Sequence, residues 1–351
     1  MKKTIKQIAD LAGVSPGTVD RVLHNRYGVN PNVRQRVQKI LIDIDYKPNV
    51  VAKALKRSGE SINFGYIVTD LKNPFWNGII AGFNHAKKEY ESHGVTLKQI
   101  DMKEISAEEQ VRRLDELLGG SEKMNGVFIG ALNSPIITDY INDIAGKIPV
   151  ITYNTDVNGS KRLCFVGQNH MEAGHVAGRL MSLLLHRDGK IVTFSSHLTT
   201  LAHVNRFHGF KKSIERLRPD SIVLDAIRHI ETDEAGYEAA LEALKIPDVT
   251  ALYVTGEGSS GIAKALKESG LRPNVKMICF DMLDGIVEAV KDEIIDFTIG
   301  QNEYLQGYLP VKLMYEYLVF GTPPPSEKIY TDIDIRVKEN IGNEDFFSLY
   351  L

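Results

Sequence analysis

The chain has 351 residues with 42 Lys and Arg against 45 Asp and Glu, too long for one small core and suited to three compact units. No run nears the ~18–20 apolar residues of a bilayer span, and no N-terminal stretch has the apolar core of a signal peptide. The near-neutral total hides a division: residues 1–60 carry 12 basic against 5 acidic residues, and residues 61–351 carry 30 against 40. A cationic head on an acidic body suits a duplex-binding module whose partner domain stays off the phosphates.

Thr4-Ile5-Lys6-Gln7 has the form of a capping box, and Ile5, Ile8, Ala9 and Ala12 follow as one apolar stripe at helical spacing. Gly13 supplies a tight turn and Val14 plugs the corner. Ser15 reads as an N-cap before Pro16, whose missing N–H costs nothing at a first helical position. A second helix is predicted to about Asn25, with Val19, Val22 and Leu23 inward and Thr18, Arg21 and His24 opposite. Asn30-Pro31 announces a third, carried by Val33, Val37, Ile40, Leu41 and Ile44. Two short helices around a Gly turn are a helix-turn-helix signature. Its second helix would lie in the major groove, Arg21 pairing with a guanine and Thr18 reaching a base or phosphate. The plainer alternative is a three-helix cap with Arg21 in a surface ion pair. After Pro48, Asn49–Arg57 has room for two helical turns, too short to be stable alone.

Residues 4–57 resemble the DNA-binding headpiece of the LacI/GalR family. The resemblance rests on Ile8-Ala9, Ala12-Gly13-Val14-Ser15, Thr18-Val19, Arg21-Val22 and Tyr46-x-Pro48-Asn49, then Ala52 and Leu55. It implies DNA contacts from Thr4, Ser15, Pro16, Gly17, Thr18, Arg21, His24, Asn25 and Arg26. It also implies a hinge helix bearing Asn49, Ala52, Leu55 and Lys56, with Leu55 wedged between base steps in the minor groove. Two departures fall where bases are read: Pro16-Gly17 replaces a larger polar pair, and Asp20 stands where Ser is common.

From Ile62 onward strands and helices alternate. The predicted strands are Ile62–Val68, Gly94–Ile100, Gly126–Ile129, Pro149–Tyr153, Lys190–Phe194, Ile222–Ile227, Thr250–Val254, Val275–Phe280 and Phe297–Ile299. Amphipathic helices fall between them, among them Glu109–Leu118, Ala173–Leu185 and Ala235–Leu244. This order predicts an α/β body of parallel, doubly wound sheets, divided into two lobes by a break near Asn158–Leu163. Cys164 and Cys279 read as buried thiols in a reducing cytoplasm.

Ligands of such sheets bind outside the carboxyl ends of the strands. Those ends carry Asp70, Asn73, Phe75 and Trp76, then Asn154 and Asp156, then Arg206, Thr255, Glu257, Asp281 and Gln301. Flat rings to cover C–H faces, and amides, carboxylates and a guanidinium for a hydroxyl rim, match a sugar. The plainer readings are core aromatics for Phe75 and Trp76, a helix-face ion pair for Arg206, a helix N-cap for Asp281, and solvated loop charges for Asp156 and Glu257.

The body is similar to ribose-type periplasmic sugar-binding proteins, which is also the effector domain of LacI/GalR regulators. Asn73-Pro74-Phe75-Trp76, Val150-Ile151-Thr152, Arg206-x-x-Gly209-Phe210, Phe280-Asp281 and Ile299-Gly300-Gln301 carry the similarity. By that resemblance Phe75 and Trp76 stack on the ring while Arg206, Asp281 and Gln301 hydrogen-bond it. Asn154 stands where Asp is frequent, and Thr155 where Arg is common.

Two rivals come from other classes. Gly256-Glu257-Gly258-Ser259-Ser260-Gly261 fits G-x-G-x-x-G after a strand, with Asp281 downstream, so an NAD-dependent enzyme is the alternative. A free transport receptor lacks both an export signal and a reason for the basic headpiece. His197, His203 and His208 show no helical zinc spacing. The expectation is a non-enzymatic, cytoplasmic, ligand-responsive DNA-binding regulator without cofactor, metal or membrane contact. Its partners would be double-stranded operator DNA, a sugar or polyol, and a second copy of itself, with tetramers left open. The expected domains are a headpiece over 1–47, a hinge over 48–60 and an effector domain over 61–351.

Overall fold

The computed structural model describes residues 5–23, 28–43, 61–196, 200–228, 230 and 232–342. Thr4, His24, Asn25, Arg26, Ile44, the whole 48–60 segment with Asn49, Ala52, Leu55 and Lys56, and His197 lie outside the described residues, as do the side chains of Ile5, Gln7, Asp20 and Leu23. Two compact units divide the chain: residues 1–60 with 315–323, and residues 61–314 with 324–351.

In the first unit, α1 (Ile5–Ala12), α2 (Pro16–Leu23) and α3 (Pro31–Asp43) form around the predicted stripe. Ile8, Ala9, Ala12, Val19, Val22 and Val37 make its buried core. Gly13 turns the chain with φ at +61°, a left-handed conformation cheap only for Gly. The Val14 N–H donates to the Ala9 carbonyl at 2.9 Å, closing the turn. The Ser15 hydroxyl accepts from the Thr18 N–H at 3.2 Å, the N-cap that its side chain promised. Pro16, Gly17 and Arg21 stand exposed on the other face, with Thr18 half-buried.

In the second unit the strands run β1 (Ile62–Val68), β2 (Val95–Asp101), β3 (Gly126–Ile129), β4 (Val150–Tyr153), β5 (Cys164–Gln168), β6 (Lys190–Phe194), β7 (Ile222–Val223), β8 (Val249–Val254), β9 (Lys276–Phe280), β10 (Phe297–Gly300), β11 (Lys328–Thr331) and β12 (Asp334–Arg336). They form two six-stranded sheets, ordered β11-β5-β4-β3-β1-β2 and β12-β10-β9-β8-β6-β7. Every pairing is parallel except that of β10 with β12. Neighbouring residues bury on opposite faces of the second sheet. Val192, Leu252 and Met277 pack on one side, while Ile191, Tyr253 and Ile278 pack on the other.

The helices are α4 (Phe75–Glu91), α5 (Ala107–Leu118), α6 (Pro135–Ala145), α7 (His170–Leu184), α8 (Leu201–Leu217), α9 (Asp233–Ala243), α10 (Ser259–Glu268), α11 (Asp284–Lys291) and α12 (Glu303–Phe320). Three begin two or three residues earlier than their apolar period suggests, because Ser106, Asn169 and Thr232 cap them by accepting from the N–H three residues on.

The lobe boundary departs from expectation. Cys164–Gln168 still pairs with β4, so the first crossing follows Gln168 and not Asn158–Leu163. The chain crosses twice more, between Gly300 and Glu303 and between Thr331 and Asp334. Gln168, 1% exposed, ties the crossings together: its amide donates to the Gly300 carbonyl at 2.9 Å and to that of Asp332 at 3.4 Å. The predicted strand Ile222–Ile227 pairs only at Ile222–Val223, with one further bridge from Ile227 to Phe194.

Each lobe locks its cleft-proximal helix against a neighbour through glycine. A β-carbon on Gly82 of α4 would come within 2.0 Å of the Tyr304 carbonyl on α12, and one on Gly174 of α7 within 2.3 Å of the Arg206 carbonyl on α8. Backbone contact this close fixes where α4 presents Phe75 and Trp76, and where α8 presents Arg206.

Candidate functional site

The strand ends of both lobes converge on one cavity of about 90 Å³, room for several waters where one needs roughly 10–15 Å³. Nine of the eleven strand-end candidates line it: Asp70, Asn73, Phe75, Trp76 and Asn154 from the first lobe, Arg206, Glu257 and Asp281 from the second, and Gln301 at a crossing.

The Asn73 side chain accepts from the Phe75 N–H at 3.0 Å, which leaves its amide N–H free to donate to Glu257 Oε1 across the cleft, also at 3.0 Å. Phe75 and Trp76 meet edge to face at 5.8 Å, and Trp76 meets Tyr153 likewise at 6.2 Å. They are 9% and 7% exposed, so the rings belong at once to the core and to the cavity wall.

Asn154 and Asp281 both adopt left-handed backbone as they leave β4 and β9, with φ of +60° and +72°. Asn and Asp are the residue types that tolerate this, and the bend turns each side chain out of its strand. The Asn154 amide donates to Gln306 Oε1 at 3.1 Å, and its carbonyl accepts from His170 Nε2 at 3.1 Å. Burial, reinforced by Arg206, holds the His170 pKa down to about 3, so this ring donates as a neutral imidazole. Asp281 Oδ1 accepts from Gln301 Nε2 at 2.5 Å. Burial raises the Asp281 carboxyl and the Arg206 charge opposes that rise. Asp281 is not a helix cap: Leu283 occupies that position on α11.

Arg206, 2% exposed, is no surface ion pair. Its guanidinium carbon lies 3.8 Å from the centre of the Phe280 ring, and Nη1 donates to the Thr255 carbonyl at 2.8 Å. Its buried Nε has no hydrogen-bond partner among the described residues, an unspent donor in a residue that lines the cavity.

Two predicted ligand residues fall elsewhere. Asp156 is held by Arg162 through two contacts of 2.6 Å and by the Thr152 hydroxyl at 2.8 Å, so its oxygens serve a structural ion pair. Thr255 donates its hydroxyl to the Phe194 carbonyl at 3.3 Å, and its own carbonyl positions Arg206 and His203. Conversely, His203, Thr155 and Leu132 line the cavity although the strand ends alone do not point to them. His203 lies three residues before Arg206 on one helix, a same-face spacing that was legible.

Glu303 opens α12 close to this cluster. Burial first, then the Asp281 charge, raise its carboxyl from 4.5 to about 7. A carboxyl with a raised folded pKa contributes its stability fully below about 4.5 and loses it as pH rises through about 7. Glu303→Gln should therefore match the parent near pH 5 and exceed it near pH 8 by on the order of 1–3 kcal/mol. Denaturant midpoints at the two pH values check this, and an equal difference at both refutes it.

The glycine fingerprint has packing causes. A β-carbon at Gly256 would lie 2.2 Å from His203 and one at Gly261 only 1.7 Å from the Asp233 carbonyl, while Gly258 makes its turn at φ +78°. The dinucleotide alternative gains no support. Among the described residues no group of three His, Cys, Asp or Glu is placed to hold a metal ion. Cys164 and Cys279 are buried and unpaired, their thiols pushed up to about 12 by burial. Among the described residues no helix is long and apolar enough to cross a membrane.

A sheet pair of this order with a ligand-sized cleft at the strand ends defines a periplasmic-binding-protein-like effector body. Residues 64–322 match the periplasmic binding protein domain, and residues 4–49 match the bacterial regulatory proteins of the lacI family. Catabolite control protein A of Staphylococcus xylosus is 28% identical over 324 residues, covering 91% of this chain and 93% of that protein. The ribose operon repressor of Haemophilus influenzae is 26% identical over 278 residues, covering 77% and 78%. Among solved structures, a glucose-galactose binding protein from Geobacillus stearothermophilus superposes with a TM-score of 0.72 at 26% identity, covering 81% of this chain and 99% of that one. The chain belongs to the LacI family of regulators, with a periplasmic binding protein domain as its body. It is a DNA-binding transcriptional regulator governed by a small-molecule effector.

Proposed function

We propose that the effector is a sugar or related polyol held between the lobes, and that lobe closure sets operator occupancy in a homodimeric repressor. The observation that carries this is the convergence of Asn154, Arg206, Asp281 and Gln301 with two aromatic rings on one cavity. Planar polar groups around an apolar wall suit a ring with a hydroxyl rim and C–H faces. The domain plan is a headpiece over 1–47, a hinge over 48–60 and the effector body over 61–351. The hinge joins the body at β1 in the first lobe, so rotation of that lobe against the other is transmitted along it. An effector shifts this equilibrium only by its differential affinity for the two states. A two-fold protein asks for a near-palindromic operator.

Two measurements test the reading. Thermal shift across a sugar panel should raise the melting temperature with at least one ligand, because binding to the folded state alone stabilises it. Affinity for the gene's own upstream DNA, followed by fluorescence anisotropy, should fall about 10³–10⁵-fold between 50 and 200 mM salt if 6–10 phosphates are contacted. A flat salt response removes the headpiece from the duplex.

A further inference from the structure

The cavity does not end at the Asn73–Glu257 hydrogen bond. A second cavity of about 480 Å³ adjoins it, and Asp70, Asn73, Ile105, Gly256, Glu257 and Asp281 line both. The bonded pair Asn73 and Glu257 is thus a partition between an inner chamber and a larger outer one. The aromatic rings and Arg206 line only the inner chamber. The outer chamber has Lys72, Thr232, Asp233, Ser259 and Ser260 as polar groups beside Pro74, Leu283 and Ile286. Hydroxyls, an ammonium and a carboxylate beside apolar patches suit a second ring better than bulk water.

Charge narrows the class further. Asp70, Glu257 and Asp281 face both chambers and Asp233 faces the outer one, against Arg206 within and Lys72 outside. Arg206 donates through Nη1 to a backbone carbonyl and keeps Nε, unspent among the described residues, as a donor that a neutral hydroxyl can satisfy. A phosphate or carboxylate on the ligand would meet excess negative charge at close range, where like charges repel most strongly.

We propose that this regulator's effector is an uncharged glycoside of at least two units, with one ring in the inner chamber and the second in the outer, the link passing beside Asn73 and Glu257. The proposal rests on the sugar reading of the cleft. Its test is calorimetric titration of the full chain with matched ligands: glucose with maltose and cellobiose, galactose with lactose and melibiose, xylose with xylobiose, and the 6-phosphates of glucose and galactose. At least one disaccharide should bind about tenfold or more tightly than its monosaccharide, which two or three added hydrogen bonds suffice to give. The phosphates should bind more weakly than their parent sugars. Ser260→Tyr, which fills the outer chamber alone, should bring the disaccharide down to the monosaccharide's affinity and leave the monosaccharide within about twofold. Lys72→Ala, at an exposed position that spares the fold, should weaken only the disaccharide. Monosaccharides binding as tightly as every disaccharide, phosphates binding more tightly than sugars, or both variants weakening both ligand sizes alike would each overturn the two-chamber proposal while leaving the sugar reading standing. Silence from every sugar, large and small, would take down both.

Discussion

Asp281→Asn weakens effector binding by about 10- to 100-fold, the cost of turning a charged acceptor into an amide at about 1.5–3 kcal/mol per hydrogen bond. Operator affinity without effector stays within about twofold, since the substitution touches no residue of the headpiece. Asn tolerates the left-handed backbone that Asp281 occupies at φ +72°, so the exchange alters chemistry and not chain path. One carboxylate oxygen is engaged by Gln301, and the residue lines both chambers. The chain's single tryptophan, Trp76, lies in the inner wall, so its fluorescence reports effector binding directly. Concurrent loss of operator and effector affinity would mean that Asp281 holds the fold and does not select the ligand.

Arg206→Met destabilises the effector body by about 3–5 kcal/mol and abolishes the effector response, because it removes a buried guanidinium whose charge offsets the Asp281 carboxylate and leaves that carboxylate uncompensated. Methionine replaces much of the stem over Phe280 but supplies no donor for the Thr255 carbonyl. It also leaves Asp281 without the positive charge that opposes its burial. The sign with pH follows. Unopposed burial raises the Asp281 pKa further, so the deficit is largest where that carboxyl must ionise and shrinks as pH falls and it takes up a proton. Denaturant unfolding followed through Trp76 at two pH values measures both effects. A loss below about 1 kcal/mol would place Arg206 outside the framework of the cleft.

Particular residues show how far sequence reasoning reached. Ser15 caps the second helix as its position before Pro16 predicts, and the stripe from Ile8 to Val37 closes a core within some thirty residues. These are local matters of period, cap and turn. The strand Cys164–Gln168 was missed because four apolar or small residues show no alternation of their own, and only pairing with β4 and β11 makes them a strand. The C-terminal strands, three and four residues long at sheet edges, failed to register for the same reason. Asp156 and Glu257 look alike as carboxylates after a strand. Arg162 claims the first for the scaffold, and Asn73, 184 residues away, meets the second across the cleft.

The linear order of residues thus determined the basic headpiece, the α/β alternation and the chemistry available at each strand end, since helical period, caps and strand length are set by neighbours in the chain. Tertiary structure alone decided which strand ends meet, where the chain crosses between lobes, and that the inner chamber opens past Asn73 and Glu257 into a larger one. Those outcomes depend on charge partners and sheet register between segments far apart in the chain, and no local pattern encodes them.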